Sequence, residues 1–479
     1  MGGGRSAFRA LVLRQRSWPD GPASRMMSAA HRRGDEPMKV GSMKSAASIA
    51  ALIGLIVIAG AVSVGSAPPP AAQHAAGPPA LPANVALEAG ALGGTGVGLL
   101  SPTGESGIVA SSNATAVASS NGTEVGVSNT ADPGSTSSTI GLWAADWGGA
   151  AGQRSSAGWQ AAAQNDSILI GNAGVYAKWI PQLRSWNPKL MILVYNLGPY
   201  LQSGSSDFNT IRQQDPSWFA HDAHGNLITL HKFPGNYLMD VGNAGYRAWH
   251  AQQLAATVAA DGFDGAMDDS MGTAALSTGY STGVPIDAAT GQAYTDAEYL
   301  ANSVLMLNAD KAALNGKYLA FNGLISGTEY ERDTETLATS NANAGISELF
   351  LRQPTSPINS FPSTSELDAT LEMMSSMAAH GKALLGWTKV WVNASSAQLN
   401  KWEQYGLAAY LLGRGSASYW DFMPSHSADN TVISYSNMRD QLGTPLGNYT
   451  TNGSTLTRKF QDGSVSLNTS TDTGTITVT

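Results

Sequence analysis

The sequence predicts an α/β protein of the (β/α)8 TIM-barrel class, followed by a small antiparallel β region. Between residues 139 and 440, short apolar runs alternate with helical patterns, as in repeated parallel β/α units. Beyond residue 441 the chain changes to short alternating segments separated by turn signals, such as Asn452-Gly453 and Asp462-Gly463. These two patterns predict a barrel at 139–440 and a β subdomain at 441–479.

Eight strands and several helix starts follow from the residue patterns. Helix starts are indicated by Asn243 and by three capping boxes, Thr295 with Glu298, Ser363 with Glu366 and Ser395 with Gln398. The predicted strands are 140–147, 167–171, 190–196, 262–270, 317–322, 344–352, 382–390 and 416–422.

The composition restricts the partners and the chemistry. The 479 residues carry a formal net charge of −8, and Lys and Arg form no cluster in the predicted barrel, so nucleic acid is not an expected partner. The absence of cysteine excludes disulfides and thiolate chemistry. Neutral polymers remain possible substrates.

The first 138 residues read as export and spacer sequence. Residues 1–37 are an irregular basic leader, and 38–67 contain Lys39 and Lys44 ahead of the apolar run 46–64. This segment is a signal peptide or a membrane anchor, since about 20 apolar residues span a bilayer. Either alternative places the protein outside the cytoplasm, secreted or anchored on the outer face of the membrane. Residues 68–138 have the composition of a low-complexity linker.

Two adjacent carboxylates end the fourth predicted strand, in the segment 262–270. Chemistry in parallel β/α sheets lies at the carboxyl ends of strands, and alternation lets only one of Asp268 and Asp269 face the barrel axis. The spacing favours Asp269, with Asp268 in reserve, although such a pair can also simply cap the next turn. The long loop at 271–294 that follows is expected to cover this face and contact substrate.

Several separate motifs resemble those of secreted bacterial glycosyl-hydrolase-like TIM-barrel proteins. They begin at Asp215 (DPSWF), Met239 (MDVGNAGYRAW), Gly262 (GFDGAMDD), Ser347 (SELFLR) and Thr457 (TRKFxxGxVxxN). The resemblance implies a barrel with a small C-terminal β-sandwich and a carbohydrate substrate. Asp268 departs from the pattern, in which an apolar residue usually precedes the carboxylate.

Glycoside hydrolysis requires two carboxylates, and Glu348 is the candidate partner of Asp269. The resemblance implies a nucleophile on the fourth strand and an acid/base on the sixth. We expect Asp269 to be ionised and Glu348, in an apolar setting, to hold the proton. A structural salt bridge from Glu348 to Arg352 or Arg247 is the competing interpretation.

Further polar and aromatic residues at strand ends are candidates for binding sugar hydroxyls and sugar faces. For the aromatic residues core packing is the alternative, and for Asp240 it is a helix cap or a contact with Arg247. The substrate-binding candidates are Asp146, Trp147, Tyr195, Asn196, Asp240, Asn322, Trp387, Trp420 and Asp421.

No cofactor or metal is predicted, because His231 and His250 lack ligands at zinc spacing. The sequence therefore predicts an extracytoplasmic glycoside hydrolase that acts on a poly- or oligosaccharide. A carbohydrate-binding barrel without catalytic activity is the alternative, and the position of Glu348 relative to Asp269 distinguishes the two.

Overall fold

The computed structural model describes residues 140–146, 154–325, 333, 335–415, 417–426, 428–432 and 435–479. The predicted leader, export segment and linker, residues 1–138, lie outside these residues. Among the helices of the described residues, none has the length and apolar character needed to cross a bilayer.

Eight parallel strands form the barrel sheet in the described part of the chain. In sheet order they are β1 (Trp143–Asp146), β2 (Ile168–Gly171), β3 (Met191–Asn196), β6 (Gly265–Asp268), β7 (Tyr318–Asn322), β8 (Ala344–Ser347), β9 (Ala383–Lys389) and β10 (Tyr419–Met423). A parallel bridge between Leu142 and Trp420, with the Trp420 N–H donating to the Gly141 carbonyl at 2.9 Å, joins the last strand to the first. The predicted (β/α)8 barrel is confirmed.

The helices surround this sheet. They are α1 (Ser156–Asn165), α2 (Ala173–Tyr176), α3 (Ile180–Trp186), α4 (Phe208–Gln214), α5 (Ala244–Asp261), α6 (Asp296–Ala313), α7 (Thr336–Ala338), α8 (Thr364–Ala379) and α9 (Ser396–Gly413). All three predicted capping boxes are formed, and the Asn243 side chain accepts the Gly245 and Tyr246 N–H groups at the start of α5. These helix starts depend on local hydrogen bonds, which explains why the sequence revealed them.

Alternation along each strand separates two apolar cores. The barrel interior contains alternate strand residues such as Leu193, Met267, Ile346 and Leu385. The intervening residues, together with the inward faces of the helices, form the larger core between the sheet and the helix layer. The parity of a residue at a strand end therefore decides whether its side chain enters the barrel mouth or the helix layer.

A long excursion separates β3 from β6. It contains a two-stranded antiparallel ladder, β4 (Tyr200–Gln202) with β5 (Asn236–Leu238), and α4. The predicted 271–294 loop pairs with this excursion through the bridge between Leu230 and Ser281. Since the two segments follow the carboxyl ends of β3 and β6, they lie at the end of the barrel where the candidate carboxylates are found.

The C-terminal residues form one antiparallel four-stranded sheet that packs against α9. Its strands are β11 (Thr450–Asn452), β12 (Thr455–Phe460), β13 (Gly463–Asn468) and β14 (Thr473–Val478). Arg458, 9% exposed, donates from Nη1 to the carbonyls of Leu411, Leu412 and Arg414. Because these carbonyls end α9 without intrahelical partners, Arg458 caps the last helix of the barrel from the neighbouring sheet.

Candidate active site

The end of β6 directs two adjacent aspartates to opposite sides of the barrel wall. Met267 lies in the barrel interior, so Asp269 faces the mouth, whereas Asp268 faces the helix layer. The Asp269 N–H donates to the Asn196 carbonyl at 2.9 Å. Gly198, with a positive φ of 56°, approaches so closely that a Cβ there would collide with the Asp269 carbonyl oxygen. These two backbone contacts with the end of β3 thus hold the Asp269 backbone in place.

Asp269 and Glu348 share one amide donor. Asn322 at the end of β7 donates from Nδ2 to Asp269 Oδ1 at 2.8 Å and to Glu348 Oε2 at 2.9 Å. The Tyr195 hydroxyl donates to the other Asp269 oxygen at 2.8 Å. The structure therefore brings together Asp269, Glu348, Asn322 and Tyr195, four of the residues that the sequence singled out.

The predicted strand 344–352 placed Glu348 inside a strand, but in the structure Glu348 follows the end of the strand. β8 ends at Ser347, and the chain then turns, with Leu351 at φ 69°. Glu348 extends over the mouth with 37% of its side chain exposed, and its Oε1 lies 2.6 Å from Lys389 Nζ. The expected salt-bridge partners, Arg352 and Arg247, instead donate to backbone carbonyls. The partner of Glu348 is Lys389.

Lys389 is a buried cation held between aromatic rings. Its side chain is 1% exposed, and Nζ lies 4.3 Å from the ring centre of Trp387 and 4.8 Å from that of Trp391. Trp387 also meets Trp143 edge to face at 5.7 Å inside the barrel. Burial lowers the pKa of Lys389, and the Glu348 carboxylate opposes that change.

The charges reverse the expected location of the proton in the ligand-free site. Burial, followed by the charge of Glu348, raises the pKa of Asp269 to about 6. Burial also acts to raise the pKa of Glu348, but the charge and hydrogen bond of Lys389 outweigh it, so this pKa lies below its usual value. An apolar setting alone would favour a proton on Glu348, but Lys389 supplies a compensating charge that opposes this effect in the ligand-free protein.

Asp421 is a third carboxyl group at the inner side of the wall. It alternates with Trp420 on β10, is 5% exposed and accepts a 2.8 Å hydrogen bond from Asn430 Nδ2. Burial raises the pKa of Asp421 to about 7, although Asn430 and Lys389 oppose the rise. The mouth thus contains three carboxyl groups near the buried cation Lys389.

Asp268 belongs to a separate buried network outside the barrel wall. His250 on α5 lies between Asp310 on α6, at 2.9 Å from Nδ1, and Asn196, whose Nδ2 is 2.6 Å from Nε2. Asn196 Nδ2 also donates to Asp268 Oδ1 at 2.9 Å. Burial raises the pKa of Asp268 to about 8, and the two carboxylates raise that of His250 to about 9 against its burial.

This network also has the composition of a metal site. Possible ligand atoms of His250, Asp268 and Asp310 lie within 4.8 Å of one another. Both ring nitrogens of His250, however, have hydrogen-bond partners. The geometry is that of a buried hydrogen-bonded network that joins β3 and β6 to α5 and α6.

Several substrate-binding candidates lie away from the mouth. Asn196 faces the network just described, and Asp240 accepts the Tyr294 hydroxyl at 2.7 Å, which ties the 271–294 loop down. Asp146 is 2.9 Å from both Arg154 and the Tyr176 hydroxyl. Trp147 lies outside the described residues.

Trp420 packs in the outer core. It is fully buried, stacks on Tyr410 of α9 at 6.4 Å, and donates to the Thr388 hydroxyl at 3.1 Å. The interpretation of Trp420 as a sugar-binding residue is therefore corrected, because its parity on β10 is opposite to that of Asp421.

Two residues of the mouth were missed in the sequence. Lys389 shares the inward parity of Trp387 on β9, so a lysine within an apolar strand was the available signal. Tyr280 lies in the 271–294 loop; burial, then Asp269 and Glu348, raise the pKa of its hydroxyl. No residue pattern in that loop distinguished Tyr280 from its neighbours.

A parallel eight-stranded barrel with carboxylates after its fourth and sixth strands, linked by one amide, is a barrel of the glycoside hydrolase type. The sequence profile of hypothetical glycosyl hydrolase family 15 matches residues 184–464. The match covers more than half of the chain, and the chain belongs to this family. No curated protein sequence matches the chain.

Several solved structures are similar to this chain at low sequence identity. A cycloisomaltooligosaccharide glucanotransferase from Paenibacillus sp. has 12% identity and a TM-score of 0.39, covering 55% of this chain and 40% of that one. A GH31 family sulfoquinovosidase from E. rectale has 12% identity, a TM-score of 0.40 and coverages of 64% and 45%. A noncanonic maltogenic α-amylase from Thermotoga neapolitana has 10% identity and a TM-score of 0.39, and the match covers 69% of this chain and 86% of that one. The chain thus spans less than half the length of the first two proteins.

Proposed function

We propose that the protein is an extracytoplasmic glycoside hydrolase that cleaves a poly- or oligosaccharide with Asp269 and Glu348 as its carboxylate pair. The observation that carries the proposal is the Asn322 amide, which donates to both carboxylates at 2.8 and 2.9 Å. The extracytoplasmic location rests on the apolar run at 46–64 behind basic residues.

The shared amide limits the separation of the two carboxylates. The two hydrogens of an amide nitrogen diverge by ~120°, so the two accepting oxygens lie about 5 Å apart. Retaining glycosidases hold their carboxyl groups about 5 to 5.5 Å apart, whereas inverting enzymes leave roughly 6.5 to 9.5 Å for a water molecule. The separation favours retention through a covalent glycosyl-enzyme intermediate.

The surroundings of each carboxylate suit one of the two roles. Asp269 accepts hydrogen bonds on both oxygens, from Tyr195 and Asn322, which orients it as the nucleophile that forms the bond to the anomeric carbon. Glu348 lies at the partly exposed rim, where it protonates the departing oxygen and then takes a proton from the incoming water. Esterification of Asp269 removes its negative charge, which lowers the pKa of Glu348 and favours the base role in the second step.

The active form contains one proton shared by the pair. In the ligand-free protein the raised pKa of Asp269 and the lowered pKa of Glu348 both favour this proton on Asp269. The form with ionised Asp269 and protonated Glu348 is then the minor tautomer, and a bound substrate that weakens the contact between Lys389 and Glu348 increases its population.

Matched amide substitutions test the proposal. Asp269→Asn and Glu348→Gln are expected to reduce turnover about 10³-fold on the substrate found in a glycan screen, without loss of folding. Asp268→Asn is the control, because it alters the adjacent carboxyl group of the same strand but faces the helix layer. Full activity in both the Asp269 and Glu348 variants would refute the pair.

A carbohydrate-binding barrel without catalytic activity is the second candidate. The observation that favours it is the 2.6 Å ion pair between Lys389 and Glu348, which holds Glu348 ionised. Under this alternative the amide variants change sugar affinity, and the wild-type chain releases no reducing ends from any glycan that it binds.

A further inference from the structure

A polar cleft distinct from the barrel mouth lies where α9 meets the C-terminal sheet. It has a volume of about 380 Å³ and is formed by α9, β14 and the segment around Asn437. This volume is within the range of roughly 300 to 1,000 Å³ typical of small-molecule sites. Glu403, at its base, lies seven residues into α9, which places it ~10 Å along the helix from the end that follows β9.

Glu403 supplies an unsatisfied buried acceptor in this cleft. Glu403 is 1% exposed, and its Oε2 accepts a 3.0 Å hydrogen bond from Asn437 Nδ2. Its Oε1 is buried and has no hydrogen-bond partner among the described residues. A buried carboxyl oxygen without a donor is costly, so a ligand that offers a hydroxyl group at this position would be stabilised.

The remaining lining selects the class of ligand. Asn400 and Gln404 contribute amides, Thr475 contributes a hydroxyl group, and Tyr435 contributes a ring that is fixed edge to face on Phe422 at 5.6 Å. None of the described lining residues is a lysine or arginine, and Glu403 would repel an anion. Amides, a carboxyl group and an aromatic ring are suited to the hydroxyl groups and apolar face of a sugar.

We propose that this cleft is an accessory binding site for a neutral sugar unit, with Glu403 Oε1 accepting a sugar hydroxyl. Burial, together with Asp440, raises the pKa of Glu403 to about 7, which agrees with a carboxyl group that lacks a donor in the ligand-free protein. A saccharide held here does not occupy the mouth, because the cleft lies on the outer side of α9. The site increases the local concentration of polymer near the mouth.

The test uses the full chain with Asp269→Asn, which blocks turnover, and a panel of neutral oligosaccharides as probes. In this background Glu403→Gln should weaken binding to the accessory site by about tenfold or more. Gln404→Trp, which fills the cleft, should abolish that binding and reduce the titrated stoichiometry by one site. Glu372→Gln on α8 and Gln252→Trp on α5 are matched controls at exposed helix positions and should change neither value.

Unchanged affinity and stoichiometry in both cleft variants would overturn the proposal, as would a panel in which no neutral glycan binds outside the mouth. Hydrolysis by the same cleft variants with Asp269 restored reports on the mouth separately. Hydrolysis with no cleft binding refutes only the accessory site. Cleft binding with no hydrolysis by the wild-type chain refutes only the proposed function.

Discussion

Lys389 Nζ lies 2.6 Å from Glu348 Oε1, and this ion pair sets the proton balance of the mouth. A cation at that distance stabilises the ionised carboxylate, which explains why the pKa of Glu348 lies below its usual value. The contact joins β9 to the turn after β8, so it couples two neighbouring strand ends of the barrel.

Lys389→Met should raise the pKa of Glu348 and move the pH profile of kcat/KM upward by about one pH unit. The sign follows because loss of the cation makes Glu348 bind a proton more readily, so the doubly protonated, inactive form persists to higher pH. Lys382→Met is the control, since Lys382 is on the same segment but donates to the Ala342 carbonyl. Identical profiles for the wild type and Lys389→Met would contradict the coupling.

Activity of the wild-type chain should decline as the pH rises through about 6. The pair must retain one proton, and its more basic member, Asp269, has a pKa of about 6. A pH series of kcat/KM on the screened substrate measures this limb. If kcat/KM does not change between about pH 5 and pH 8, the pair does not share a catalytic proton.

Azide should separate the roles of the two carboxylates. In Glu348→Ala, azide is expected to attack the intermediate on Asp269 and give a glycosyl azide with the anomeric configuration of the substrate, since two inversions occur. In Asp269→Ala, azide should attack the anomeric carbon of the substrate directly and give a glycosyl azide of the opposite configuration. NMR of the products identifies the anomeric configuration in each variant. If the two variants gave each other's expected configurations, Glu348 would be the nucleophile.

Arg458→Met should lower the free energy of unfolding by about 3 kcal/mol, because three carbonyls at the end of α9 lose their donor. Lys459→Met, at the exposed neighbouring position, should have little effect. Chemical denaturation of both variants measures the difference. Equal stabilities would show that the sheet does not cap the barrel.

Stability should fall between pH 6.5 and pH 9 and fall less in Asp268→Asn. The folded pKa of His250, about 9, exceeds its ordinary value, so its stabilisation is complete below pH 6.5 and lost as the pH rises through 9. The folded pKa of Asp268 is raised from 3.8 to about 8, so folded Asp268 retains a proton that the unfolded chain has lost, and stability falls until the pH reaches about 8. Denaturant unfolding at both ends of this range tests the difference, and equal slopes for the two proteins would contradict it.

Local patterns in the sequence determined the barrel class and the helix starts. The capping boxes at Thr295, Ser363 and Ser395 involve residues three apart, and the alternation of strands and helices is visible along the chain. The choice of Asp269 over Asp268 also followed from alternation, since a strand has a period of two. These features depend on neighbours in the sequence, which is why they could be predicted.

Only the tertiary structure decided which side chains meet in the mouth. Lys389 and Glu348 are 41 residues apart, and Asp310 is 60 residues from His250. Alternation places Trp420 and Asp421 on opposite sides of the wall, but only the position of β10 in the sheet, where Asp421 pairs with Trp387, decides which of the two faces inward. The location of the proton then depends on distances between strand ends and on burial, and neither quantity is encoded in a local pattern of residues.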